Sequence, residues 1–249
     1  MMKNDDFHGF KSEIFEFDGQ SAELVFPDKR AEESLLILKT EYWNAFPETE
    51  LELLRRGHHL AFIKNINRWG TKEDIDRKAG FIKFLTEEYN LCSCVPVGMS
   101  CGGIFAVKLA ALYPELISCI YLDAPVVNYM SCPCGFGNGN SLNADNSEIM
   151  SALSLGSIGE LMAYRDMPLD YLPRLTENKI PALLVAGDSD KTVPYDENGL
   201  FIERAYKNAG VDISVHIKPG CDHHPHGLPE PSYAADIIEK FAFMFSDLK

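Results

Sequence analysis

Residues 94–107 read Cys-Val-Pro-Val-Gly-Met-Ser-Cys-Gly-Gly-Ile-Phe-Ala-Val, and this stretch decides the fold class that we predict. The apolar run at 94–97 is typical of a buried strand, and the apolar residues from Ile104 onward follow a helical spacing. Between them, Gly-x-Ser-x-Gly at 98–102 is typical of a strained strand-to-helix turn, where glycines prevent collisions. The stretch therefore predicts a turn that exposes Ser100 above a sheet and directs the Cys101 N–H into the same space.

The rest of the chain alternates short apolar runs with amphipathic stretches, a pattern that indicates a largely parallel sheet with interspersed helices. An antiparallel pair is predicted around Gly19, and a capping-box-like start at Thr71 and Asp74 predicts one helix. The other predicted strands are 35–38, 60–63, 94–99, 117–122, 182–186 and 213–217, with helices at 47–57, 71–89, 101–113 and 234–245.

One segment interrupts this alternation. Residues 128–146 are rich in Gly, Asn, Ser, Cys and Pro, and short helical pieces follow to about residue 175. Loops at the carboxyl ends of parallel strands line the sites of such folds, so an insertion at 127–175 is placed to act as a lid. A surface excursion without a role is the alternative. We predict one domain over residues 1–249 that carries this insertion.

Composition excludes several classes of function. Lys and Arg number 23 against 37 Asp and Glu, which gives a formal charge of −14. This balance argues against nucleic acid and anionic membrane surfaces, both of which attract clustered cations. The opening residues 1–6 lack the apolar region of a secretion signal, and no run approaches a membrane span. Seven cysteines without a disulfide pattern then favour reduced thiols and a cytoplasmic location. The sequence does not define the oligomeric state.

Two later loops supply partners for a nucleophilic serine. A serine hydroxyl needs a histidine base and an acid that orients the base, in the chain order serine, acid, histidine for this type of turn. The loop 187–194, Gly-Asp-Ser-Asp-Lys-Thr-Val-Pro, and the loop 219–228, Pro-Gly-Cys-Asp-His-His-Pro-His-Gly-Leu, each follow a predicted strand. The loop with the aspartates comes first and the loop with the histidines second, so the order serine, acid, histidine is met.

With these motifs the chain resembles the α/β-hydrolase superfamily. It is most similar to small bacterial serine esterase-like hydrolases, through residues 42–47 and 223–228. The resemblance implies a mostly parallel twisted sheet with helices on both faces, and it implies Ser100 as nucleophile, Asp190 as acid and His223 as base. Asp188 or Asp123 could replace Asp190, and His224 could replace His223. In that last case His226 would support the base or face the substrate.

The oxyanion hole needs two N–H donors, one from Cys101 and one from the loop after the third strand of the superfamily fold. Most hydrolases mark that loop with His-Gly, whereas this chain has Lys-Thr-Glu-Tyr-Trp at 39–43. Glu41 or Tyr42 is the predicted second donor, and Thr40 is the next alternative. In the same segment, Trp43 and Phe46 either wall a substrate pocket or belong to the core.

The leading hypothesis is a serine hydrolase that cleaves a carboxylic ester through an acyl-enzyme and requires no cofactor. The resemblance favours carbohydrate acyl esters, so the expected partner is a neutral small-molecule or oligosaccharide ester. A peptidase or thioesterase could use the same triad, and a catalytically silent binding module is the alternative from another class. A metal-dependent enzyme built on the histidine cluster is a third hypothesis, although we predict no metal site.

Overall fold

The computed structural model describes residues 3–140 and 146–246, and its sheet begins with three antiparallel strands. These are β1 (Lys3–Phe7), β2 (Phe10–Phe17) and β3 (Gln20–Val25). The predicted turn at Gly19 joins β2 and β3, with Phe17 paired to Gln20. The sequence gives no indication of β1, because Lys-Asn-Asp-Asp-Phe contains one apolar residue and no alternation.

Six further strands run parallel to one another and build the centre of the sheet. They are β4 (Leu36–Lys39), β5 (His59–Ile63), β6 (Cys94–Met99), β7 (Ile120–Asp123), β8 (Ala182–Gly187) and β9 (Ile213–Lys218). The order across the sheet is β1-β2-β3-β5-β4-β6-β7-β8-β9, and β3 pairs antiparallel with β5. The predicted mostly parallel α/β sheet is confirmed. The carboxyl ends of β6, β7, β8 and β9 lie side by side.

Helices cover both faces of this sheet. Helices α1 (Glu48–Arg55) and α8 (Pro231–Ser246) pack on one face, against a core that includes Ile37 and Val95. The other face carries a core with Leu36 and Leu38, as expected where neighbouring strand residues point to opposite sides. That face is covered by α2 (Lys72–Glu88), α3 (Gly102–Leu112), α6 (Leu172–Glu177) and α7 (Gly199–Ala209).

Two local predictions need correction. Strand β7 starts at Ile120 and not at Ile117, because a short 3₁₀ turn at Pro114–Leu116 leaves Ile117 with only an isolated bridge to Cys94. Thr71 precedes α2 as predicted, but its hydroxyl accepts no hydrogen bond from the helix backbone. The Asp74 carboxylate instead accepts from the N–H of Ile66 at 2.9 Å, so it holds the preceding loop.

The predicted insertion contains the short helices α4 (Ser147–Ala152) and α5 (Ile158–Ala163), and α6 begins near its end. Residues 141–145 of this segment lie outside the described residues. The Asn198 side chain accepts from the N–H groups of Val127 and Asn128, both at 3.1 Å. The start of the insertion is thereby attached to the region that follows β8. Its role as a lid stays a prediction.

All seven cysteines lie in the described part of the chain, and each is a free thiol. Among the helices in that part, none combines the length and apolar character that crossing a membrane requires.

His59 makes stability depend on pH. Burial, with smaller effects from the Arg30 and His58 charges, lowers its pKa to about 4, against about 6.5 in an unfolded chain. Between these values the unfolded chain binds a proton that the folded chain does not. The contribution of His59 to the free energy of unfolding should therefore fall by roughly 2–3 kcal/mol as the pH drops from 7 to 4.5.

Urea denaturation of the wild type and of His59→Asn at both pH values checks this. Asparagine keeps a polar atom near Nδ1, which lies 3.0 Å from Ser34 Oγ, but it does not titrate. Between pH 7 and pH 4.5, we expect the free energy of unfolding to fall by roughly 2–3 kcal/mol less in the variant than in the wild type. Equal losses would contradict the assignment.

Candidate active site

Ser100 lies at the end of β6 in a conformation that few residues adopt. Its φ is +51°, in the left-handed region, and its N–H donates to the Asp123 carbonyl on the neighbouring strand at 2.9 Å. A Cβ on Gly98 would come within 2.8 Å of Gly103 Cα, and one on Gly102 within 2.8 Å of Thr40 Oγ1. The glycines therefore permit the close approach of α3 to β6 that raises the serine above the sheet.

The structure brings the three predicted triad side chains together. His223 Nε2 lies 3.1 Å from Ser100 Oγ, and His223 Nδ1 lies 2.7 Å from Asp190 Oδ2. The Asp190 side chain is fully buried, and that of His223 is 10% exposed. These distances are within hydrogen-bond reach for a nucleophile, a base and an orienting acid. The three catalytic roles stay predictions that this geometry supports.

Asp190 is held as a carboxylate. Burial opposes its ionisation, but the hydrogen bond with His223 and the N–H groups of Val193 and Thr192 outweigh burial and lower the pKa of Asp190. Both N–H groups donate to Oδ1 at 2.8 Å, which leaves Oδ2 for the imidazole. An ionised acid in this position favours the Nδ1–H tautomer, so Nε2 is free to accept the serine proton.

The alternative acids and base occupy other positions. Asp188 is exposed, and its carboxylate accepts from the Gly220 N–H at 2.7 Å. Asp123 is buried and pairs with His226, whose Nδ1 lies 3.1 Å from Asp123 Oδ1. His224 is exposed, and its ring centroid lies 5.0 Å from that of His223. None of the three occupies a place within the Ser100–His223–Asp190 chain of contacts.

Asp222 helps to position the predicted triad, and the sequence did not predict this role. Its Oδ1 accepts from the N–H of Lys191 at 3.0 Å and from the N–H of His223 at 2.8 Å. It thereby connects the loop that carries Asp190 to the loop that carries His223. An exposed aspartate beside a histidine gives no local pattern of such a bridge.

The loop after β4 contacts the start of α3, where the predicted oxyanion donors lie. The Thr40 N–H donates to the Val97 carbonyl at 3.1 Å, so Thr40 is engaged in the sheet and is excluded as a donor. Within residues 3–140 and 146–246, the N–H groups of Glu41, Tyr42 and Cys101 donate to no protein acceptor. Glu41 and Tyr42 both stay candidates beside Cys101.

Cys101 directly follows Ser100, the predicted nucleophile, but its own thiol is not activated. Burial raises the pKa of its thiol to about 11, so the reactive thiolate is scarce at neutral pH. Burial also raises the pKa of the adjacent Tyr42 hydroxyl, and the Cys101 thiol raises it further, while Arg68 opposes this shift. Arg68 itself is held by two hydrogen bonds, of 2.7 and 2.6 Å, to the Glu148 carboxylate.

Trp43 and Phe46 separate into different environments. The Trp43 ring stacks between Phe7 and Phe62, with centroid distances of 4.6 and 5.3 Å, so Trp43 is partly buried and packs against the core. Phe46 is 37% exposed and stacks on His224 at a centroid distance of 5.4 Å. Of the two aromatic residues, only Phe46 therefore lies beside the histidine loop.

The histidine cluster does not have the arrangement of a metal site. Across the described ranges, no group of three or more His, Cys, Asp or Glu side chains is placed to hold a metal ion. His223 and His226 each direct Nδ1 to a different carboxylate, Asp190 and Asp123 respectively. The geometry therefore gives no support to the metal-dependent hypothesis.

Comparison with known proteins assigns the family. The profile described as the prolyl oligopeptidase family matches residues 61–248, which is more than half of the chain. The chain belongs to the prolyl oligopeptidase family. Members of this family have the α/β-hydrolase fold, which confirms the predicted superfamily. No curated protein sequence matches the chain significantly.

Solved structures show the same fold. A puromycin-hydrolyzing peptidase from Mycobacterium tuberculosis is 12% identical, with a TM-score of 0.67 over 96% of this chain. The acylaminoacyl peptidase from Pyrococcus horikoshii is 17% identical, with a TM-score of 0.66 over 98% of this chain. The alignments cover only 39% and 41% of those two proteins. At this identity the likeness shows the fold and not the substrate.

Proposed function

We propose that this family member hydrolyses carboxylic esters through an acyl-enzyme on Ser100. The observation that carries the proposal is the continuous chain of hydrogen bonds from Asp190 through His223 to Ser100 Oγ. It supplies the activated nucleophile that acyl transfer requires and the oriented base that removes its proton.

The reaction follows from the positions of these groups. Ser100 Oγ attacks the acyl carbonyl while its proton passes to His223 Nε2, and Asp190 stabilises the imidazolium. The N–H groups of Cys101 and of Glu41 or Tyr42 stabilise the oxyanion. His223 then protonates the leaving alkoxide as the bond to it breaks. Water repeats the sequence on the acyl-enzyme and releases the acid. None of these steps calls for a cofactor.

Ester cleavage is supported by the sequence segments that resemble small bacterial esterase-like hydrolases. Those segments, residues 42–47 and 223–228, meet at the site, where Phe46 contacts His224 and His226. Carbohydrate acyl esters are the substrates that this resemblance favours. The acidic chain, with a formal charge of −14, disfavours anionic ligands. The free thiols are compatible with a cytoplasmic location, which we include in the proposal.

Peptide hydrolysis is the second candidate, and the comparisons favour it. The family profile and both structural neighbours carry the names of peptidases. The same triad cleaves amides when the imidazole protonates the leaving amine. Relative rates of hydrolysis of an ester and an amide substrate therefore decide between the two candidate functions. The family assignment also favours an enzyme over the silent binding module.

A two-substrate assay tests the proposal. We expect the wild type to turn over p-nitrophenyl acetate with a kcat/KM at least about 100-fold above that for alanyl-p-nitroanilide, and Ser100→Ala to lose roughly 10⁴-fold or more in kcat. A reversed preference would establish the peptidase candidate. Full turnover in Ser100→Ala would disprove the triad mechanism. A chelator should leave the wild-type rate unchanged, since the mechanism uses no metal.

A further inference from the structure

The leaving group of the substrate must lie close to the catalytic imidazole. His223 returns the proton to the departing oxygen, so that oxygen comes within hydrogen-bond reach of Nε2. Side chains packed around His223 therefore line the leaving-group side of the site. His226 is one of them, because its ring centroid lies 4.8 Å from that of His223 with the two planes at 80°.

His226 is fixed by a buried carboxylate. Its Nδ1 lies 3.1 Å from Asp123 Oδ1, and each of the two side chains is 2% exposed. The N–H of Gly227 also donates to the Asp123 carboxylate, and the Tyr121 hydroxyl approaches it at 3.3 Å. These contacts hold the His226 ring in one orientation. The chain therefore carries two imidazole–carboxylate pairs in adjacent positions, of which the proposed mechanism uses one.

The second ring nitrogen of His226, Nε2, makes no contact that the fold requires. In the part of the chain that the structure describes, Nε2 has no hydrogen-bond partner. It is also not among the fully buried side-chain atoms that lack one, so a ligand can reach Nε2 although the side chain as a whole is 2% exposed. Once a bound substrate covers this nitrogen, leaving it unpaired costs about 1–3 kcal/mol, so a substrate that pairs with it is favoured. A ligand hydroxyl suits this nitrogen in either protonation state, because a hydroxyl both donates and accepts.

Phe46 adds an apolar surface to the same place. Its ring contacts that of His226 in a T-shaped arrangement at a centroid distance of 5.3 Å, and it is 37% exposed. Its φ of +47° lies in the left-handed region, as do those of Tyr42 and Asn44 in the same loop. Such conformations cost roughly 1–3 kcal/mol each and concentrate at functional sites. The strained loop keeps Phe46 at the surface beside the histidines.

We propose that His226 and Phe46 form a leaving-group subsite that binds an alcohol with a ring and at least one further hydroxyl, as in a sugar. The hydroxyl pairs with His226 Nε2, and the apolar face of the ring packs on Phe46. A leaving alcohol without a second hydroxyl leaves Nε2 unpaired, so the subsite discriminates against it. The inference rests on the proposed ester hydrolysis and specifies its alcohol.

Two acetate esters with rings of equal size test the role of His226. One is a monoacetate of methyl xyloside, which carries free hydroxyls, and the other is cyclohexyl acetate, which has none. In His226→Asn the amide can still reach Asp123, but the position of Nε2 is lost. We expect the ratio of kcat/KM for the sugar ester to that for cyclohexyl acetate to fall about 10- to 100-fold, mainly through KM.

Matched variants separate this role from a structural one. His226→Gln places an amide near the position of Nε2 and should recover part of the ratio. His216→Asn, in β9 where the imidazole contacts Ser214, should leave the ratio unchanged. Phe46→Ala should raise KM for both ring esters relative to ethyl acetate. Circular dichroism and melting temperatures establish that each variant is folded.

An unchanged ratio in folded His226→Asn would overturn the inference. An equal loss on both ring esters would also overturn it, because His226 would then only position His223. If the wild type hydrolysed none of the three acetates, the proposed ester hydrolysis itself would fail, and the subsite would fail with it.

Discussion

Replacing His223 with alanine is expected to lower kcat by roughly 10⁴- to 10⁶-fold, the largest effect of any substitution outside Ser100. The imidazole is the only group within hydrogen-bond distance of Ser100 Oγ among the described side chains. Without it the hydroxyl proton has no acceptor and the leaving group has no donor. KM should change little, because the ring acts mainly in the transition state. Steady-state kinetics with p-nitrophenyl acetate measure both quantities.

His224→Ala is the matched control. His224 is the neighbouring residue and is exposed, and its contacts are ring contacts with Phe46, His223 and His226. We expect its kcat to stay within about tenfold of the wild type. If His224→Ala lost activity as severely as His223→Ala, the base would have to be reassigned.

The second large effect is expected from Asp190→Asn, with a fall in kcat of roughly 10⁴-fold. The substitution keeps the volume of the buried side chain but removes the charge. An asparagine that donates to His223 stabilises the wrong imidazole tautomer, with the proton on Nε2 and no acceptor for the serine. The pKa of Asp190 lies below its usual range, so the carboxylate is present in the wild type throughout the neutral range.

Asp188→Asn supplies the comparison for this prediction. Asp188 precedes Asp190 by two residues and accepts from the Gly220 N–H, which supports the start of the loop 219–228 that carries His223. We expect a loss of about tenfold or less, with no change in the shape of the pH–rate profile. Comparable losses in the two variants would argue that the acid acts through loop stability and not through the imidazole.

The sequence was sufficient for most of the central sheet and for the three triad candidates. Buried parallel strands give continuous apolar runs, and the Gly-x-Ser-x-Gly turn has local steric requirements that glycine meets, so both are visible in a short window. The acid and histidine loops could be placed because each follows such a strand. These features depend on local composition and on the common direction of parallel strands.

The features that could not be predicted depend on contacts between distant residues. Asp123 and His226 are 103 residues apart, and neither segment shows that the two side chains pair. Strand β1 forms only because β2 offers an edge, since its own sequence has no strand pattern. Thr40 is excluded as an oxyanion donor because its N–H donates to the Val97 carbonyl. That contact depends on the register between β4 and β6, which the sequence does not reveal.

Covalent labelling of Ser100 tests the central claim most directly. A fluorophosphonate probe reacts with a serine that a neighbouring base activates, and peptide mass spectrometry locates the adduct. We predict a single adduct per chain on the peptide that contains Ser100, and its absence in both Ser100→Ala and His223→Ala. An adduct on another residue, or an active wild-type enzyme that the probe leaves unlabelled, would contradict the account.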